Sequence, residues 1–383
     1  MKVLLVSPRT PAPGGKGDQL RAFQFAGALT EDHVLEVITT GAGASAAGTE
    51  GELAALATLR IHRTPIVARA LGALGALVRG QPAQVGWMMP GRAWRTVRRV
   101  ARDADVVLAL TARSLRGPLP VPVALDHVDA LSLNMRRRAT GPEPAPVRWA
   151  ARLEAGLMGR WEQRLSRWVA VEAVISPVDA RELPSWPDVH ILPNSVELPP
   201  LPPAPLAERD IDLIFTGNMA YPPNADAARW LSEDIAPALW KLRPGASVWV
   251  VGRDAERLSL DGSIEARADV PELAAYLRRA KVALAPLRIG TGSPNKVLEA
   301  LAAGAVVVAT PSAVAPFGLP PEAVVTAESA EGLAAEAARV MSDAQTWERL
   351  AGRSRVLVAG YGPEAQHERL DALLEAARSV TTR

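Results

Sequence analysis

The 383-residue chain is 48% hydrophobic, has no cysteine and sets 43 Lys and Arg against 41 Asp and Glu, a net charge of +2. A chain of this length buries two cores rather than one, and without cysteine it has no disulfide framework, thiol nucleophile or thiolate metal site. No nucleic-acid partner is expected, and no apolar run reaches the roughly eighteen residues of a membrane-spanning helix.

In chain order, Met1-Lys2 leads directly into Val3-Leu4-Leu5-Val6, followed by Pro8, Pro11 and Gly14. That run is too short for a signal-peptide core and reads as a first buried strand, consistent with a cytoplasmic chain. A helix over about 19–29 and strands at 34–39, 106–110, 122–125, 171–175 and 190–192 alternate thereafter, the pattern of a parallel sheet with crossover helices. Residues 148–169 place Trp149, Leu153, Leu157, Trp161, Leu165 and Trp168 at three- and four-residue steps, one amphipathic helix suited to covering this sheet. Arginines cluster in this half, at Arg92, Arg95, Arg98, Arg99, Arg102 and Arg136-Arg137-Arg138. A basic half with a Trp-striped helix is compatible with peripheral contact at an anionic membrane surface.

A proline-dense run, Leu198-Pro199-Pro200-Leu201-Pro202-Pro203-Ala204-Pro205, then interrupts the alternation as a stiff connector. Strands resume at 211–216, 247–251, 282–285 and 306–309, with helices near 225–242 and 271–280, one from Pro294 and a closing one. The expected organisation is a Rossmann-like domain over 1–197, a linker over 198–208 and a second Rossmann-like domain over 209–362. The helix of 363–383 is a candidate for packing back on the first domain. Ligands of open α/β sheets bind beyond the carboxyl ends of the strands, so a central cleft between facing domains is the default site.

The segment after the 282–285 strand carries the clearest chemistry. Ser293 is a good N-cap, Pro294 suits a first helical turn and Gly304 suits a C-terminal stop. Lys296 then lies in the first turn, where a cation opposes the helix dipole unless an anion is bound beside it. Free backbone amides, Lys296 and Arg288 of the preceding loop together describe a phosphate or diphosphate site. Glu299, three residues on and on the same face, can accept the hydroxyls of a ribose. A local Lys296–Glu299 ion pair is the plain alternative, disfavoured because Val297, Leu298 and Leu301 leave little of the helix for solvent.

Gly290, Gly292, Lys296, Glu299, Ala300, Ala302 and Gly304, followed by Val306-Val307-Val308-Ala309-Thr310, resemble the donor-binding signature of the GT-B-fold retaining glycosyltransferases of family 4. Further segments resemble the family in the same order. They are Phe215-Thr216-Gly217-Asn218-Met219 with Tyr221, Pro223-Asn224 and Trp230, then Val250-Val251-Gly252-Arg253, and the turn Leu192-Pro193-Asn194-Ser195-Val196. The Pro11 to Asp18 loop with Arg21, and Leu125-Asp126-His127-Val128-Asp129-Ala130-Leu131-Ser132, are similar to a branch that makes exopolysaccharide.

The resemblance implies an α/β GT-B enzyme that moves a hexosyl unit, with retention, from a UDP- or GDP-type sugar to a hydroxyl acceptor. The acceptor classes implied are saccharide, lipid-linked or small-molecule. Gly217, Asn218, Arg253, Arg288, Gly290, Thr291, Gly292, Ser293, Lys296 and Glu299 would hold the donor, with Arg253 and Lys296 neutralising the leaving diphosphate in place of a metal. Many members carry a second glutamate eight positions before the one matched by Glu299; here that residue is Thr291.

Gly15, Gly17, Asp18 and Arg21 form a candidate loop for acceptor or phosphate, and His127 and Asp129, beyond a strand end, are candidates to position or deprotonate the acceptor hydroxyl. No metal or cofactor is expected: the Asp103/Asp105 and Asp210/Asp212 pairs precede strands, opposite the ligand ends. His33, His62, His190 and His367 lack metal-ligand spacing. A nicotinamide oxidoreductase is disfavoured because the second strand ends Ile38-Thr39-Thr40-Gly41 without the acidic residue such sites use. A nucleotide-sugar epimerase of the same fold and a non-catalytic sugar-nucleotide binder remain the other readings.

Overall fold

The computed structural model describes residues 1–13, 15, 17–41, 49–140, 144–199, 203–289, 293–320 and 322–380. The chain divides into two units, Met1–Ser195 with Gln366–Arg383, and Val196–Ala365.

The first unit is built on a seven-stranded parallel sheet: β1 Lys2–Ser7, β2 Val34–Thr39, β3 Thr58–Ile61, β4 Val106–Leu110, β5 Val123–Asp126, β6 Val171–Val174 and β7 His190–Ile191, in the order β3-β2-β1-β4-β5-β6-β7. β4 is buried along its whole length and β1 from its second residue on, as apolar strands with helices on both faces must be. β3 was not among the expected strands. It is an edge strand with alternate residues exposed, so its sequence lacks the apolar run that marks β1 and β4.

The second unit repeats the architecture with β8 Ile211–Thr216, β9 Val248–Val251, β10 Ile264–Arg267, β11 Ala280–Ala285, β12 Val306–Ala309 and β13 Val324–Thr326, ordered β10-β9-β8-β11-β12-β13, all pairs parallel. In each sheet the order reverses once, between β1 and β4 and between β8 and β11, and beyond the strand ends at such a reversal an open α/β sheet offers a ligand crevice. β10 and β13, also unexpected, are again short edge strands.

Two helices differ from their sequence expectations. The helix near 225–242 begins at Pro222 and passes through a π-helical turn, Leu231–Ile235, before Ala236–Leu242. Pro237 has no amide to give to a regular α-turn, and the wider turn relieves that conflict. The Trp-bearing helix runs Ala145–Leu165, and its buried stripe is Ala151, Ala155, Met158, Glu162 and Leu165 with Trp161. Trp149 and Leu153 are exposed, so the apolar positions at the start of this helix do not cover the sheet.

The final helix, Pro363–Ser379, contributes Leu370, Leu373, Leu374 and Ala377 to the same apolar cluster as Val3, Leu5 and Phe25. His33 on Asp371, and His367 near Glu31, Asp32 and Asp371, fasten its polar side to the end of the helix Gly17–Asp32.

Candidate functional site

In the second unit the ends of β8 and β9 and the start of the helix Asn295–Ala302 converge. Gly217 follows β8 and Gly252 follows β9, and a Cβ on Gly252, whose φ is +132°, would stand 2.2 Å from the Gly217 carbonyl oxygen. Only glycine permits that approach. A Cβ on Gly217 would meet Asn224 Nδ2 at 2.8 Å and Lys296 Nζ at 3.0 Å, so this turn also lies directly against the lysine.

Lys296 Nζ donates to Asn224 Oδ1 at 2.7 Å and sits 4.1 Å from the centre of the Phe215 ring. Asn224 is itself aimed by its Nδ2, which donates to the Asn218 carbonyl at 2.9 Å. Asn224 holds both contacts at once, a positioning role that sequence reading missed because an asparagine three positions into a helix looks like an ordinary first-turn residue. No carboxylate lies within ion-pair distance of Lys296 among the described residues. Burial consequently pushes the amine down to about 7, with nearby Glu299 pulling it back up. Glu299 is raised by burial, and Lys296 opposes that rise. The local ion pair weighed above is therefore not formed: the lysine is spent on a neutral amide, and the carboxylate has no hydrogen-bond partner among the described residues. A partly buried cation without its counter-ion is a mark of a functional site.

The helix itself starts one residue later than expected. Pro294 occupies the N-cap position and gives no side-chain cap, while Ser293 Oγ is buried without a hydrogen-bond partner. Gly304, with φ +72°, closes the helix in the left-handed conformation that glycine favours.

Arg253, the residue after Gly252, is exposed and in no ion pair among the described residues, and its carbonyl accepts from the Met219 amide at 2.8 Å. Arg288 departs from expectation. Its guanidinium grips Asp226 through Nη2 and Nε, at 2.8 and 3.1 Å, and stacks 4.7 Å from the Trp230 ring, so an anion would share it with the neighbouring helix. Asp226 lies 62 positions away in sequence, which no local pattern reveals. Gly290, Thr291 and Gly292 lie outside the described residues.

In the first unit, the ends of β1, β4 and β5 gather charged groups. Arg9 Nη1 donates to both oxygens of Asp18, at 2.8 and 2.7 Å. Arg113, after β4, lies in the field of Arg9, Asp18 and Asp129, and burial depresses its guanidinium. Asp129 is pushed up to about 7 by burial and then by Asp179, with Asn134, Arg113 and Arg21 opposing, and its Oδ1 is buried without a partner. Thr111 and Val128, at the ends of β4 and β5, have φ of 66° and 65°. β-Branched residues take that conformation only under strain, of order 1–3 kcal/mol each, which concentrates at functional loops.

Two candidates of this unit have structural duties instead. His127 is fully buried with Nε2 2.8 Å from Glu172, which together with other acids raises it against the effect of burial, and it has no open face for a hydroxyl. Arg21 is also buried. Its donors are taken by Asp126 at 2.6 Å, the carbonyls of Leu192 and Pro193 and the Asn194 side chain, so it binds the helix Gly17–Asp32 to the end of the sheet and is closed to a ligand. Of the glycine loop, Gly15 packs on Gln19 and Gly17 opens the helix, while Gly14 and Lys16 lie outside the described residues. Asp105, Asp210 and Asp212 are engaged by the Lys2 amide, Arg279 and Lys281 at the amino ends of strands.

Residues 210–343 match the family model described as Glycosyl transferases group 1. No curated protein sequence matches the chain. Among solved structures it is similar to sucrose-phosphate synthase from Thermosynechococcus elongatus, with a TM-score of 0.67 at 15% identity over 99% of both chains. It is also similar to Anabaena Alr3699/HepE in complex with UDP, with a TM-score of 0.66 at 12% identity over 98% of this chain and 100% of that one. WaaG, a glycosyltransferase involved in lipopolysaccharide biosynthesis, gives 0.63 at 14% over 98% and 99%. At such identities the likeness establishes the fold, and the family match falls on the unit that holds Lys296 and Glu299. The chain thus has the GT-B fold and carries a glycosyltransferase group 1 domain in its second unit, which makes it an enzyme of glycosyltransferase type.

Proposed function

We propose that the protein transfers a hexosyl unit from a UDP- or GDP-type sugar to a hydroxyl acceptor, saccharide, lipid-linked or small, with retention at the anomeric carbon. The observation that carries this reading is the partly buried Lys296 with a neutral partner, beside an uncapped helix start and an unpartnered Glu299. A diphosphate would supply the missing negative charge at Lys296, the Ser293 hydroxyl and the exposed Arg253; ribose hydroxyls would supply the missing donors at Glu299. Binding would then spread the leaving group's charge over fixed cations, and no metal enters the scheme. That UDP and UDP-glucose are bound by HepE supports a nucleoside diphosphate as the ligand class. Asp129, whose carboxyl burial pushes up to about 7, is the group of the first unit suited to orient an acceptor hydroxyl.

The test is a panel of nucleotide sugars with product analysis, alongside calorimetry of UDP and GDP on Lys296→Ala and Glu299→Ala. Sugar transfer or slow hydrolysis, with the anomeric configuration read by NMR, supports the proposal. An epimerised product, tight binding without turnover, or unchanged nucleotide binding in both variants overturns it.

A further inference from the structure

The helix Ile66–Val78 in the first unit has an exposed apolar face that the fold does not use. Its inward side is Arg69, Gly72 and Ala76, at spacings of three and four, with Gly72 in backbone contact with Gly86. The opposite side presents Val67, Leu71, Leu74 and Val78, at steps of four, three and four, with Ile66 and Leu77 beside them. These side chains are 44–81% exposed. Exposed aliphatics scattered singly need no explanation, but a whole helical face of them does.

The charge around this face identifies its partner. Between Glu52 and Asp103 the chain has nine arginines, no lysine and no acidic residue. An unpaired cation closes the helix. Arg79 caps its C-terminus, with Nη1 on the Gly75 carbonyl, and has Arg116 for an electrostatic neighbour. Ahead of the helix, Arg63 and Arg60 are paired with Glu50 and Glu36, which leaves Arg99, near His62, as the unpaired cation there. Gly91, beside Arg116, opens the next basic helix, Gly91–Val100, which buries Ala93, Val97 and Val100 and exposes Arg92, Arg95, Arg98 and Arg99. Among the described residues Arg79, Arg92, Arg95, Arg98 and Arg99 are in no ion pair.

A second copy of the chain would bring two such cationic rims together, and they repel. An anionic bilayer satisfies both features: the aliphatic side chains enter the acyl boundary while the arginines meet the headgroups. With thirteen residues, the helix is too short to span and is suited to lie in the interface plane.

We infer that the Ile66–Val78 face, with its arginine rim, docks the first unit on an anionic membrane. This surface differs from the Trp-bearing helix that the sequence suggested, and it does not depend on the donor reading. The experiment is vesicle flotation of the full chain with phosphatidylcholine vesicles, with and without phosphatidylglycerol.

Binding to the anionic vesicles is expected, falling about tenfold or more in pure phosphatidylcholine or in 0.5 M salt. It should also be lost in Leu71→Glu/Leu74→Glu and, separately, in Arg92→Glu/Arg95→Glu. Circular dichroism checks that each variant is folded, and the lipid and salt dependence of the wild type decides the matter should a variant fail that check. Absence of wild-type binding, or equal binding to both vesicle types, overturns the inference. So does a dimer in sedimentation velocity that Leu71→Glu/Leu74→Glu converts to monomer, since the face would then belong to a second copy.

Discussion

Donor binding should take up a proton. With Lys296 at about 7 in the free protein, an adjacent diphosphate stabilises its charged form and raises it. Affinity is therefore greatest below pH 7 and is lost as pH rises, because neutral amine must first be protonated. Between pH 6 and pH 8 the loss is about tenfold, or about 1.4 kcal/mol, and at pH 8 binding takes up about 0.9 proton per site. The nucleotide's terminal phosphate also ionises, near roughly pH 6, so the quantity to read is the ratio of wild-type to Lys296→Met affinity for UDP. Calorimetry at pH 6, 7 and 8, repeated in buffers of different ionisation enthalpy, gives both that ratio and the proton count. A ratio that stays constant from pH 6 to pH 8, with enthalpies independent of buffer, would refute the assignment of Lys296 as an amine near 7 that a bound anion charges.

Two further substitutions probe the strand ends. Gly252→Ala places a Cβ 2.2 Å from the Gly217 carbonyl at a φ of +132°; destabilisation of at least about 1–3 kcal/mol and weaker UDP binding are expected, and an unchanged unfolding midpoint would contradict the packing of these two turns. Asp129, at about 7 in the native protein against 3.8 as a free side chain, keeps a proton between those values that the unfolded chain has released. Its contribution to stability is therefore full below pH 4 and declines as pH rises to 7. Asp129→Asn should accordingly gain on the wild type by about 2–3 kcal/mol between pH 5 and pH 7.5 in urea unfolding, and a constant difference would place the carboxyl in a wetter setting.

The central strands were legible in the sequence because each is an apolar run bounded by helical periodicity, and β1, β4, β8 and β12 are buried for that reason. The edge strands β3, β10 and β13 were not, since one side of each faces solvent and their residues resemble loop. The place of Lys296 in a first helical turn was legible, because it is a local property. Its partner Asn224 was not, nor was the capture of Arg288 by Asp226, because both depend on contacts across more than sixty residues. His127 and Arg21 had the residue types and strand-end position of site groups; only burial reveals that Glu172 and Asp126 already occupy them.

The contribution of Leu370, Leu373, Leu374 and Ala377 to the cluster around Val3 and Phe25 also orders events during synthesis. The first unit is discontinuous: its sheet leaves the ribosome early, yet part of its apolar cover is translated after the whole of the second unit. Until then that face of the sheet stays open to water, a long-range closure that is slow and exposed to wrong partners. The nascent first unit should therefore be a client of chaperones for longer than its own length suggests, and a gene cut after residue 195 should express a sheet lacking its last helix.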